Sequence, residues 1–111
     1  SGTTTLEAAC TGTPIVVAYR TSRITYELAR RAMTVKWISL VNLILGEPLV
    51  PEFWRLPVRA ASVADALRPL LTPGAIAAEV QRAGLARVRT QLGSPGAADR
   101  VAARALGLLP C

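Results

Sequence analysis

The sequence predicts an α/β fold in which an incomplete parallel sheet is followed by a helical tail, and three observations carry that prediction. Residues 3–11 read as a helix that Gly12 stops, and the β-branched run PIVVAY at 14–19 follows at once. A short apolar run bounded by turn residues is how a buried parallel strand reads. A second helix-then-strand pattern follows, after which the texture from residue 60 onward is rich in Ala and Leu and offers no further strand. The order α, β, α, β and then helices is too short in strands to complete a doubly wound sheet. Residues 1–59 and 60–111 are therefore read as two parts of one domain.

The first helix has Ser1 or Gly2 as its cap, and Gly12 stands where a left-handed residue is wanted. Ser22 can cap a helix over 23–33, with Ile24, Leu28 and Ala32 on one stripe and Arg23, Glu27, Arg30 and Arg31 largely on the other. WISL at 37–40 is the second strand candidate. Asn42 to Gly46 then reads as a loop, and Pro51-Glu52 opens a short helix or turn. In the tail, Ser62 with Asp65 outlines a capping box for a helix over 63–71, with Asp in place of the usual Glu or Gln. Pro73 starts a helix to about 92 and Pro95 one to about 109, each proline near a first-turn position it tolerates.

The bulk composition narrows the class. A chain of 111 residues with 51% hydrophobic and 18% charged residues is globular in composition, with room for one domain. Mean hydropathy is high at +0.37. The longest uncharged runs, 8–19 and 37–46, nonetheless fall short of the ~20 apolar residues a bilayer needs. The first residues show no initiator Met and no signal-type core, so the chain reads as a piece of something longer. Two cysteines and no histidine are too few for a disulfide framework or a zinc site; Cys10 reads as a small buried residue and Cys111 as a free terminal thiol. No D-x-D pair or other ligand cluster calls for a metal. The net charge of +6 comes almost wholly from Arg and suits phosphates, nucleic acid or an acidic membrane surface. It is concentrated between Arg20 and Lys36, where Arg23, Arg30 and Arg31 also lie and Glu27 is the one acid.

The opening SGTTTLE carries the chemistry. First-turn N–H groups lack intrahelical partners and the helix dipole is positive there, so a glycine and hydroxyls at that end suit an anion, phosphate above all. Ser1, Thr3 and Thr4 add O–H donors, Gly2 allows close approach, and Glu7 lies four residues after Thr3 on the same face. A carboxylate there would be repelled by phosphate, so its natural task is to accept hydrogen bonds from ribose hydroxyls. The plain alternative is a capped core helix with Glu7 favourably placed on the dipole.

The strings SGTTTLEAACTGTPIVVAYR, TYELARR, ISLVNLILG and VPEF, in this order and spacing, closely resemble the lipid-A-disaccharide synthase family, whose usual pattern runs SGTATLE, GTPMVVAYR, TYWLARR, ISLPNLLAG and VPE. The resemblance covers about the first half of the chain. It implies the C-terminal Rossmann-like half of a GT-B fold, with residues 1–59 as its nucleotide-sugar-binding part and 60–111 as its C-terminal helices. It implies glycosyl transfer from UDP-2,3-diacylglucosamine to 2,3-diacylglucosamine 1-phosphate, giving a β-1,6-linked disaccharide and UDP, with no cofactor. It puts Ser1, Gly2, Thr3 and Thr5 at the UDP phosphates and Glu7 at the ribose. Leu6 and Ala8 are packing.

Arg20, just past the first strand, is placed to meet a phosphate of donor or acceptor through its planar fork, or else to pair with a carboxylate or stand solvated. Asn42 belongs to the SLPNL element and fits a loop lining the cleft, with Val41 where the family has proline. Glu52 of V-P-E is either a ligand contact or a helix cap. Where the family often continues PE-L/F-L-Q, this chain has Phe53-Trp54-Arg55. Trp37 and Trp54 read as core or interface anchors more than as stacking platforms.

With lipid substrates, Arg23, Arg30 and Arg31 are candidates for contact with an anionic membrane surface, the alternative being an outer helix with a solvated charged face. The implied place is cytoplasmic, peripheral on the inner face of the inner membrane. Inverting transfer needs a base for the acceptor hydroxyl, and neither Glu7 nor Glu52 is convincing. The base is expected on an N-terminal domain of the same enzyme, so these 111 residues alone are expected to be inactive. Two rivals remain: another UDP-sugar GT-B enzyme, against which NLILG and VPE argue, and a non-catalytic basic module for nucleic acid or anionic lipid, which lacks interleaved aromatics.

Overall fold

Helix α1 (Thr3–Thr11) starts from Gly2 and ends on Gly12, which adopts φ 70° and turns its N–H back to the carbonyls of Ala8 and Ala9. Only a left-handed residue closes a helix this way without strain, which is glycine's particular use. The link that follows leads into β1 (Val17–Ala18), the surviving core of the predicted 14–19 strand. The computed structural model describes residues 2–110, so Ser1 and Cys111, and the roles expected of them, lie outside the described residues.

Helix α2 (Arg23–Ala32) begins at the predicted cap: the Ser22 side chain accepts the Thr25 N–H. Its facing differs from expectation. Ile24 and Leu28 are 76% and 65% exposed, and the side turned to the body carries Tyr26, Ala29 and Met33. Tyr26 packs its ring against Trp54, with centroids 6.2 Å apart, which draws that face inward.

The predicted strand at 37–40 does not form. The N–H groups of Ile38 and Ser39, which a strand ladder would use, donate to the Glu52 carboxylate, and Ser39 caps helix α3 (Leu40–Leu45) by accepting the Asn42 N–H. Asn42 is therefore helical, where a loop was expected. The second strand is β2 (Glu52–Phe53), at the place read as a helix or turn. It pairs parallel with β1, Val17 opposite Glu52 and Ala18 opposite Phe53. Pro51, lacking an N–H, still serves through its carbonyl, which accepts the Val17 N–H at 2.9 Å; Tyr19 N–H reaches Phe53 O at the same distance.

The tail is helical, with α4 (Ala60–Leu71), α5 (Ile76–Leu92) and α6 (Ala97–Gly107). The Ser62–Asp65 capping box is not used: α4 starts two residues before Ser62, and Asp65 pairs with Arg68 within the helix. Helix α5 supplies Leu85 and Val88 to a core completed by Ala9, Val17, Val41 and Val50, with Leu6, Ile15 and Leu49 packed around it. Each fully buried aliphatic side chain there contributes about 1.5–3 kcal/mol of transfer free energy. Buried Gln81 on α5 accepts the Ile15 N–H, fastening the helix to the link before β1. Cys10, expected inside, is exposed on the outer side of α1.

The chain is elongated, 61 × 41 × 18 Å, and its radius of gyration of 17.6 Å exceeds the about 13 Å of a compact domain this long. Residues 89–110 are exposed throughout. Much of the high hydropathy thus sits on open faces, including Ile76, Val101 and Leu108.

Candidate functional site at the carboxyl edge of the strands

In parallel α/β sheets ligands gather beyond the carboxyl ends of the strands. Here that edge is reached by Tyr19 and Arg20 after β1 and by Trp54 and Arg55 after β2. The N-terminal half of α1 flanks β1: Thr4, Thr5 and Ala8 share one groove with Ile15, Val16 and Val17.

At that N-terminus Gly2, Thr3 and Thr4 are exposed, as is Glu7 one turn further in. The glycine cap has no side chain to offer the first-turn amides. Thr5 differs from its neighbours: it is 5% exposed, and its hydroxyl donates to the Gly2 carbonyl at 3.3 Å. Arg20 is exposed beyond the strand.

Asn42 and Glu52, expected at the cleft, are turned inward. Asn42 has no exposed surface; its Nδ2 donates to Val50 O at 2.8 Å and to Glu52 Oε1 at 2.9 Å, while its Oδ1 accepts the Val50 N–H at 2.9 Å. Glu52 accepts Ile38 N–H on Oε2 at 2.8 Å and Ser39 N–H on Oε1 at 2.9 Å. A carboxylate against the first amides of a helix meets unpaired donors and the positive end of the dipole together. Of the readings open for Glu52, the geometry displays the cap, made to the N–H groups of Ile38 and Ser39 at the start of α3, fourteen and thirteen residues upstream.

Around Tyr26 the edge is hollow. A cavity of about 400 Å³ is bounded by Arg23, Tyr26, Glu27, Leu56 and Pro57. Arg30 is held by Glu27, Nη2 to Oε2 at 2.8 Å, and this hydrogen bond, with the charge behind it, raises the guanidinium's pKa further above its ordinary value. Arg31 is exposed. Arg55 lies over the Trp54 indole at 5.2 Å and Lys36 over Trp37 at 5.9 Å. The grouping of Tyr26, Trp54 and Arg55 was missed by motif reading; its one signal was the departure of Trp54-Arg55 from the Leu-Gln usual there. Among the described residues no group of three or more His, Cys, Asp or Glu side chains could hold a metal, and no helix is long and apolar enough to cross a membrane.

Two parallel strands joined through helices and flanked by them define a partial Rossmann-like α/β unit. The family model described as lipid-A-disaccharide synthetase matches residues 1–98, and the chain belongs to that family. It is 42% identical over 110 residues to a lipid-A-disaccharide synthase of Myxococcus xanthus, covering 99% of this chain and 28% of that protein. It is 41% identical over 109 residues to one of Geobacter metallireducens, covering 98% of this chain and 28% of the relative. The chain therefore spans a little over a quarter of the length of these relatives. No solved structure matches it significantly.

Proposed function

We propose that this chain is the donor-binding part of a lipid-A-disaccharide synthase, a GT-B glycosyltransferase that joins UDP-2,3-diacylglucosamine to 2,3-diacylglucosamine 1-phosphate and releases UDP. The observation that supports the reading is the exposed N-terminus of α1, with exposed Glu7 one turn in, in a chain of this family. The amides and hydroxyls of Gly2, Thr3 and Thr4 receive the diphosphate, and Glu7 accepts hydrogen bonds from the ribose. Ser1 belongs with them by sequence. Thr5, buried and bonded to Gly2 O, keeps the first turn in shape instead of reaching the ligand. As the acceptor's 6-hydroxyl oxygen bonds to the anomeric carbon and the bond to UDP breaks, helix dipole and Arg20 offset the charge gathering on the departing diphosphate. The hydroxyl's proton goes to a base on an N-terminal domain of the same enzyme.

Asn42 and Glu52 support this site from behind by fixing α3 to β2. The exposed Ile24 and Leu28, flanked by Arg23 and Arg31, favour seating α2 on the anionic inner face of the inner membrane, where the lipid substrates lie.

Thermal unfolding of the full-length protein with and without UDP tests the donor site. UDP is expected to raise the midpoint, and Glu7→Ala or Thr3→Val to reduce the rise. No response to UDP overturns the proposal, and equal stabilisation by any phosphate polymer, lost steeply with salt, would favour a plain polyanion binder.

A further inference from the structure

After β2, the carboxyl edge carries an arrangement that the UDP reading leaves unused. Tyr26, Arg30, Met33, Val35, Trp54 and Arg55 enclose a cavity of about 250 Å³. Arg55 is held over the Trp54 ring and forms no ion pair among the described residues. A guanidinium held near an aromatic face by cation–π attraction, with no carboxylate partner, keeps N–H donors for a phosphate, which its fork matches in shape and charge. Arg30 shares the wall, its Nε and Nη2 engaged by Glu27 and its Nη1 outside that pair. Glu27 offsets the charge of Arg30, so the net positive charge of the cavity rests on Arg55.

Adjoining it, and sharing Tyr26, Met33 and Trp54, is a mostly apolar pocket of about 140 Å³ walled also by Ala29 and Ile38, with Tyr19, Thr21 and Thr25 at its border. A cationic hollow thus adjoins an apolar one along shared Tyr26 and Trp54. This pairing fits a molecule with a phosphate next to hydrocarbon.

We propose that Arg55 and Trp54, with Tyr26 and Arg30, form a subsite for the phosphate of a phosphorylated lipid, its first methylenes lying in the adjoining apolar pocket. The inference rests on the proposed function in one respect: it takes the occupant to be the acylated sugar phosphate acceptor.

Calorimetric titration of the full-length protein tests it, with dihexanoyl phosphatidic acid below its micelle concentration as the probe. Inorganic phosphate, glucosamine 1-phosphate and dihexanoyl phosphatidylcholine serve as comparisons. Phosphatidic acid is expected to bind most tightly, and Arg55→Gln to weaken it about tenfold, the loss of one charge-assisted contact. Trp54→Leu should weaken it by releasing Arg55. Affinity within twofold of the parent in both variants overturns the proposal, and equal affinity for inorganic phosphate overturns the lipid assignment. Stabilisation by UDP, measured on the same variants, separates the two readings: if it persists in Arg55→Gln while phosphatidic acid binding never depended on Arg55, the subsite fails and the donor site stands. If UDP does nothing in any of them, the enzyme reading itself fails.

Discussion

The Asn42 amide nitrogen lies 2.9 Å from Glu52 Oε1, and through this bond a helix and a strand ten residues apart in sequence become one rigid piece. Asn42 uses both ends of its amide on Val50 and Glu52, and Glu52 spends the rest of its carboxylate on the backbone before α3. Every donor and acceptor in the cluster has a partner, so replacing one member leaves others stranded away from water.

Asn42→Asp replaces the Nδ2 donor by a second carboxylate oxygen facing Glu52. Like charges raise the pKa of one of the pair in the folded protein, so the folded state is penalised above the ordinary carboxylate range and relieved as pH falls into it. The expected loss is about 2–4 kcal/mol at neutral pH. Urea unfolding at pH 7.5 and 4.5 checks it, with the difference from the parent shrinking at the lower pH.

Glu52→Gln keeps the shape but puts an NH2 group against one of the donors now bound by a carboxylate oxygen. About 1–3 kcal/mol should be lost, read as a lower urea midpoint at unchanged slope. The UDP-induced rise in melting temperature should survive, since the side chain faces α3 and not the open edge.

Gln81→Leu conserves bulk on α5 and removes the acceptor of the Ile15 N–H. The stranded amide should cost about 1–3 kcal/mol. Hydrogen exchange at Ile15 should quicken more than at Leu85, which stays packed in the core.

Gly84→Ala drives a methyl group into the Leu49 Cδ atoms and to within 2.9 Å of its Cγ. Leu49 packs against the core and must shift as a whole. Overpacking of this kind costs about 1–3 kcal/mol, which exceeds the up to about 1 kcal/mol that alanine gains over glycine in a helix. A lower thermal midpoint is expected despite the better helix former.

At Gly12 and Ser22, features that depend on neighbours in sequence were legible, whereas the equally local Ser62–Asp65 box was not used. Gly12 closes α1 and Ser22 opens α2 because a cap answers to amides or carbonyls within one turn of itself. The hydroxyl-rich start of α1 was legible for the same reason, and the ordered motifs identified the family. The facing of α2 was not legible: two stripes on that helix could be buried, and only Trp54, some thirty residues on, makes Tyr26 the inner one.

Sequence alone determined the helix boundaries set by local caps, the α/β class and the family. Tertiary structure decided which extended segment became the second strand and which polar side chains face the cleft. WISL has strand-like composition, yet a carboxylate thirteen or more residues away takes its amides, and VPEF supplies the partner for β1. Hydrogen-bonding groups are satisfied by whatever the completed fold brings within 3 Å, and that proximity is not encoded in any short stretch of residues.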